Sequence, residues 1–246
     1  MNHLSNYPHL NWYISNLRSI PGGSYRYGAS PSQKQSGTRI TMSPFRMGAT
    51  PVTWGMWKEY CRAITMPGKD IELPDNGELG HLDDHPAVDL PWEDKYEPYG
   101  FCDWASSVAG FTLTIPTDVQ WEYAARGGTD GLEYPWGNEF DENRLWCSIN
   151  DAGDIGKTAP VDRSNRIHRN RFGLTDMVGN AWELCAHNVG EVYTDRQMCG
   201  GIKLSDSLCV RGGSWWYYTD SFFRCAQRFW INEGYWFMGI GIRLIT

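Results

Sequence analysis

The chain has no long apolar run. None of its 246 residues lies in a stretch approaching the ~20 needed to cross a bilayer, so membrane insertion is not expected. It has no surplus of positive charge: 22 Lys and Arg stand against 29 Asp and Glu, for a formal net charge of -7. Nucleic-acid binding needs a basic face to neutralise phosphates, and none is visible. The most basic stretch, Arg163 to Arg171, reads as a solvated loop. The seven cysteines (Cys61, Cys102, Cys147, Cys185, Cys199, Cys209 and Cys225) form no Cys-x-x-Cys pair. That removes the signature of a structural zinc or a thioredoxin-type site. A chain of this length folds without disulfides, so reduced, buried thiols are expected. There is no internal repeat and no dividing linker, which predicts one domain over 1–246.

What the chain has in excess is aromatic rings and glycine: 13 Trp, 13 Tyr, 9 Phe and 27 Gly. This composition predicts a loop-rich α+β fold pinned by large rings rather than a helical bundle. Residues 1–19 read as a poorly defined lead-in. A turn and short strand follow over Ile20–Gly28, and another strand over about Thr38–Gly48. Pro51–Ala63 reads as a helix with Thr53 as N-cap. Residues 65–85 read as an exposed polar insertion, and Trp92 to about Ala109 as a second helix. Thr117 to Gly128 is the clearest element. Thr117 and Gln120 fit a capping box, Glu122 and Arg126 an i,i+4 pair, and Gly127 a C-terminal stop. Beyond Gly128 only short strands and turns are predicted.

Several motifs run in a fixed order over about residues 20–246. They are Phe45-Arg46-Met47-Gly48, His85-Pro86-Ala87-Val88, Ile115 to Gly128, Tyr134-Pro135-Trp136-Gly137-Asn138, Gly173 to Glu183, Val210-Arg211-Gly212-Gly213-Ser214-Trp215 and Gly239 to Leu244. Together they resemble the formylglycine-generating-enzyme (sulfatase-modifying factor) family. The resemblance implies an elaborated C-type-lectin-like fold. Arg211, Arg224, Arg228 and Arg243 are then expected to brace carbonyls or carboxylates.

The oxidases of that family carry a cysteine pair after the Gly-Gly-Ser turn, where soft thiolates hold copper. Here the matching positions, near Tyr217 and Phe222, hold no sulfur. The resemblance therefore implies the fold without the catalytic residues, and no cofactor is required. The alternatives are an oxidase relying on Cys225 and an inert assembly domain.

Positions 215–238 hold 11 rings in 24 residues, against 24 in the other 222. Adjacent rings such as Trp216-Tyr217-Tyr218 cannot all face inward on one strand. Some must be exposed, and exposed aromatic clusters mark recognition surfaces. The segment also resembles that of the variable proteins of diversity-generating retroelements, which end in an Ile-Gly-Phe-Arg-Leu-like motif; here the chain reads Ile240-Gly241-Ile242-Arg243-Leu244. One departure is that several tryptophans do not arise from an asparagine codon by adenine mutation alone. The resemblance implies a diversified ligand-binding segment of about 214–240. Its expected ligand-binding residues are Trp216, Tyr217, Tyr218, Asp220, Ser221, Phe229, Trp230, Ile231, Asn232, Tyr235, Trp236, Phe237 and Met238. Its expected partner is an unidentified protein or glycan. The start of the chain has no leader-like pattern, so a cytoplasmic or phage-particle setting is expected, with surface display if a leader was removed. The family's Asn/Asp-x-x-Gly-Asn-Ala-Trp-Glu motif further implies structural calcium at Asp176, Gly179, Ala181 and Glu183, with a hydrogen-bonded turn as the equal alternative.

Overall fold

A computed structural model describes residues 3–67, 69–70, 73, 81–90, 98–148, 157–161, 168–186, 207–232 and 239–246. The N-terminal segment departs from expectation. Instead of a loose lead-in it forms helix α1 (Pro8–Ser15) and strand β1 (Leu17–Ile20). The helix is short, and its own residues carry little signal. Its support is tertiary: the backbone N–H groups of His9 and Leu10 donate to the carboxylate of Glu59 at 2.8 and 3.0 Å. That carboxylate satisfies first-turn donors which a cap residue would otherwise serve. Leu10 and Tyr13 are then buried in the core.

β1 pairs antiparallel with β4 (Phe45–Gly48), and β2 (Gly23–Tyr27) pairs with β3 (Thr38–Met42). Helix α2 (Trp54–Ile64) starts after Thr53, as predicted, but the Thr53 side chain makes no cap bond. The amides of Trp54 and Gly55 instead donate to the carbonyls of His85 and Asp83 at 2.9 and 3.0 Å. Part of the expected insertion is thus a capping strap. Helix α3 (Pro98–Ala109) supplies Phe101, which stacks on Trp57 of α2 at 4.9 Å. The front of the predicted second helix lies outside the described residues.

Helix α4 (Asp118–Ala125) forms as its sequence predicts. Both halves of the Thr117–Gln120 capping box are present, and Gly127 takes φ +59°. No further α-helix follows Gly128 among the described residues. The C-terminal half supplies a four-stranded sheet in the order β7-β6-β5-β8, from β5 (Trp182–Cys185), β6 (Ser207–Arg211), β7 (Arg228–Asn232) and β8 (Ile240–Gly241). β8 runs parallel to β5, and the other pairs are antiparallel. No described helix is long and apolar enough to cross a membrane.

Two buried ion networks tie these layers together. Arg243 donates to both oxygens of Glu183, with contacts from 2.6 to 3.1 Å, and to the carbonyls of Gly48 and Thr175 at 2.9 and 2.8 Å. Trp121 Nε1 adds a 2.7 Å bond to the same carboxylate. In the second network, Glu122 on α4 pairs with Arg126 at 2.9 Å and with Arg211 on β6 at 2.5 Å. Arg224 bridges Glu133 and Asp220. These contacts provide the bracing role expected of Arg211, Arg224 and Arg243, whereas the Arg228 side chain hydrogen-bonds the Tyr27 hydroxyl and lies over its ring.

Removing one partner of a buried pair strands the other charge, whereas an exposed pair contributes little. The variant Arg243→Met should therefore lower the unfolding free energy by about 3–5 kcal/mol in urea titrations. The variant Arg39→Met, which breaks an exposed pair with Asp130, should change it by less than about 1 kcal/mol. Equal effects would refute the structural role given to Arg243.

Candidate functional site

The site grows out of a turn. Gly212 and Gly213 sit at φ +95° and +76°. A Cβ on Gly213 would meet Phe223 at 2.7 Å, and one on Gly212 the Met177 carbonyl at 2.9 Å. Only glycine fits this path. From here the chain runs outward with alternating side chains. Trp215 is buried, Trp216 is 51% exposed, Tyr217 is half-buried and Tyr218 is 75% exposed. Trp216 meets Trp215 edge-on at 5.3 Å.

The half-buried rings form a cluster of their own. Tyr217 and Phe222 lie 4.2 Å apart, and Phe222 stacks on Phe229 at 5.4 Å. Trp182 meets Tyr217 and Phe229 edge-on at 5.5 and 5.3 Å. Burial raises the Tyr217 pKa. The two positions matched to catalytic cysteines are therefore occupied by rings in mutual contact, part of a packed aromatic layer. Phe223 is fully buried.

Of the remaining expected ligand residues, Asp220 accepts from Tyr134 Oη at 3.2 Å and from Arg224 at 3.4 Å, with its side chain 45% exposed. Ser221 is half-buried beside it. Phe229 and Trp230 lie on β7, the sheet's outer strand, both half-buried. Ile231 and Asn232 are placed only by backbone pairing with Leu208 and Ser207. Tyr235, Trp236, Phe237 and Met238 lie outside the described residues. The structure thus leaves Trp216 and Tyr218 exposed, and it places Trp230 in the lining of a cleft.

That cleft, about 800 Å³, was not legible as a site in the sequence. It is bounded by Tyr27, Gly28 and the connection from Gln33 to Thr38 on one side, and by Ala226 to Arg228 and Trp230 on the other. The one sequence signal is the polar run Ser30-Pro31-Ser32-Gln33-Lys34-Gln35-Ser36-Gly37, which marks a turn but not a pocket.

The residues matched to a calcium site do not fit that ion. Glu183 is enclosed by Arg243 and Trp121, which take both its oxygens. Asp176 Oδ2 accepts from Asn180 Nδ2 at 3.0 Å, and the Gly179 carbonyl accepts from Ala181 N at 2.9 Å. A cation at Glu183 would have to displace a guanidinium. The hydrogen-bonded turn, the other reading of this motif, describes what is there: Asn180 exchanges bonds of 2.8 and 3.0 Å with the Ala159 backbone. No group of three or more His, Cys, Asp or Glu side chains converges as a metal set among the described residues.

A family model for the sulfatase-modifying factor enzyme 1-like domain matches residues 13–246. The formylglycine-generating enzyme of Thermomonospora curvata is 34% identical over 149 residues, or 56% of this chain and 45% of that protein. The inactive C-alpha-formylglycine-generating enzyme 2 of Bos taurus is 33% identical over 129 residues, or 50% and 39%. The match spans less than half the length of these curated relatives. Among solved structures, PvdO from Pseudomonas aeruginosa superimposes with a TM-score of 0.67 at 21% identity, over 93% of each chain. Variable protein 1 of Treponema denticola superimposes with a TM-score of 0.63 at 19% identity, over 93% of this chain and 94% of that one. At such identities the structural likeness is one of fold.

The six described cysteines are buried thiols outside any disulfide; Cys199 lies outside the described residues. Burial pushes the Cys225 and Cys102 thiols up to about 12 and raises that of Cys185 as well. These three should resist iodoacetamide at pH 8, reacting at least roughly 100-fold more slowly than in urea, where the thiol pKa is about 8.5. Peptide mass mapping reads this directly. The linkage has a definite sign: their folded pKa values exceed the unfolded one, so their contribution to stability is complete below about pH 8.5 and falls as pH rises above it. Rapid native alkylation of Cys225 would instead expose a reactive thiol.

Proposed function

The chain belongs to the sulfatase-modifying factor enzyme 1-like family and has its α+β, loop-rich, C-type-lectin-like fold, and on that premise we propose that it is a non-catalytic binding member. Its recognition surface is the C-terminal aromatic segment, led by Trp216 and Tyr218. The observation that carries this reading is the contact of Tyr217 and Phe222 at 4.2 Å, on the positions where the family's oxidases hold thiols. Rings supply neither a soft ligand for copper nor a nucleophile for cysteine oxidation. The neighbouring exposed rings supply large rigid contact area at small entropic cost.

The likeness in fold to a variable protein supports reading residues 214–240 as a segment that tolerates change while the scaffold stays fixed. The similarity to an inactive formylglycine-generating-enzyme relative supports a family member without the activity. The partner is then a protein or glycan surface, with no nucleic acid, no membrane insertion and no metal in the binding step.

Two measurements test this. The protein, incubated with copper(I) and a cysteine-containing peptide, should generate no aldehyde. Peptides selected from a random displayed library on the immobilised protein should bind the double variant Trp216→Ala/Tyr218→Ala about tenfold more weakly, with an unchanged melting temperature. Aldehyde formation, or full retention of the selected peptides by the double variant, would sink the reading.

A further inference from the structure

The cleft beside Trp230 differs from the rest of the molecule in charge. The chain carries a net -7, yet the described residues of the cleft lining include Lys34 and Arg228 and no carboxylate. Three side-chain amides (Gln33, Gln35 and Gln227) and the indole of Trp230 complete its polar and flat surfaces. A volume of about 800 Å³ falls in the range of small-ligand sites.

The walls are pre-organised. The backbones of Ser30 and Gln35 exchange hydrogen bonds of 3.1 and 3.0 Å across a tight turn. Glu133 accepts from the hydroxyls of Ser30 and Ser32 at 2.9 and 2.8 Å, fastening the turn to the body. Gly37 passes so close that a Cβ would stand 2.5 Å from the Tyr27 carbonyl. The opposite wall is Arg228, whose guanidinium lies over the Tyr27 ring at 4.5 Å.

Among the described residues Arg228 makes one hydrogen bond, from Nη1 to the Tyr27 hydroxyl. Nη1 also forms an ion pair with the buried Asp118 at 3.8 Å, longer than a hydrogen bond, and no hydrogen bond engages Nε or Nη2 among the described residues. Burial lowers the Arg228 pKa to about 10, which leaves it charged at neutral pH. A half-buried guanidinium with donors to spare, on the wall of an open cleft, matches the planar fork of a carboxylate.

We propose that this cleft binds an acidic monosaccharide, its carboxylate on Arg228 and Lys34, its ring face on Trp230 and its hydroxyls on the glutamine amides. The inference rests on the reading of the chain as a binding module and names a ligand class for the part of the C-terminal segment that faces inward to the cleft. A uronic or nonulosonic acid has all three features: a carboxylate, an apolar ring face and several hydroxyls. A neutral sugar offers the two cations no counter-charge within the cleft.

The test is saturation-transfer NMR and calorimetry with N-acetylneuraminic acid and glucuronic acid as probes, against galactose and glucose. At least one acid should bind saturably, at least about tenfold more tightly than either neutral sugar. Its affinity should fall with added salt. Lys34→Glu, at an exposed turn, should weaken it about fivefold with the fold intact. Trp230→Ala should abolish ring-proton saturation transfer. Arg228→Gln should lose binding; should it fail to fold, Lys34→Glu decides. An α-methyl glycoside of the acid that binds separates a glycan terminus, which it matches, from the free acid, which it does not. Absence of saturable binding by either acid, equal binding of the neutral sugars, or unchanged affinity in Lys34→Glu and Trp230→Ala would overturn the proposal. Because Trp216→Ala/Tyr218→Ala leaves the cleft intact, its effect on selected peptides reports on the binding module separately.

Discussion

The fold hangs on a guanidinium that water cannot reach. Arg243 sits fully buried near the end of the chain, and its donors reach β4 through Gly48, the loop through Thr175, and β5 through Glu183. A charge in that setting is tolerable only when every neighbour is placed to receive it. The constraint works in reverse as well: segments far apart in sequence are held at fixed distances because one rigid fork must satisfy them all. The next residue extends the tie, since Leu244 N donates to the Tyr13 hydroxyl at 2.9 Å and fastens α1 to the segment after β8. Glu122 repeats the scheme one layer away, joining its own helix to β6 through Arg211.

On this frame the aromatic segment needs little regular structure of its own. The Gly-Gly turn at the end of β6 aims it, and Trp182 on β5 supplies the surface against which Tyr217 and Phe229 settle. The rings between turn and strand then divide into a packed layer and an exposed pair. The same strand order leaves β7 at the sheet's outer edge, where Arg228 and Trp230 meet the turn after β2. Rigidity behind the rings is what the proposed recognition role would need, because side chains already ordered lose less freedom on binding.

What was legible in the sequence were the features whose causes are local. The Thr117–Gln120 box, the Glu122–Arg126 pair and Gly127 all act within a few residues, and all appear as read. The ordered motifs carried the fold class, since they place buried groups such as Trp121, Trp182, Arg211 and Arg243. What escaped notice was settled by distant partners. Helix α1 depends on Glu59, and the start of α2 on the carbonyls of Asp83 and His85 rather than on Thr53. Glu183 illustrates the same limit for chemistry: its motif spacing suits a cation, but only the position of Arg243, sixty residues on, shows that the carboxylate is already taken. The aromatic excess marked a region correctly as unusual without saying which rings point out, because that depends on the path set by Gly212 and Gly213.

The alternation after that turn has an evolutionary corollary. A Cβ at Gly213 collides with Phe223, and Trp215 has no room to change shape, while the side chains at Trp216 and Tyr218 extend into solvent. From Trp215 to Tyr218, packed and solvent-facing positions thus alternate. Any process that rewrites this stretch of gene can vary every second side chain at almost no cost in folding, provided it spares the ones between. On the proposed binding reading, a surface with that property would acquire new targets in single steps, each on a scaffold that has not had to change.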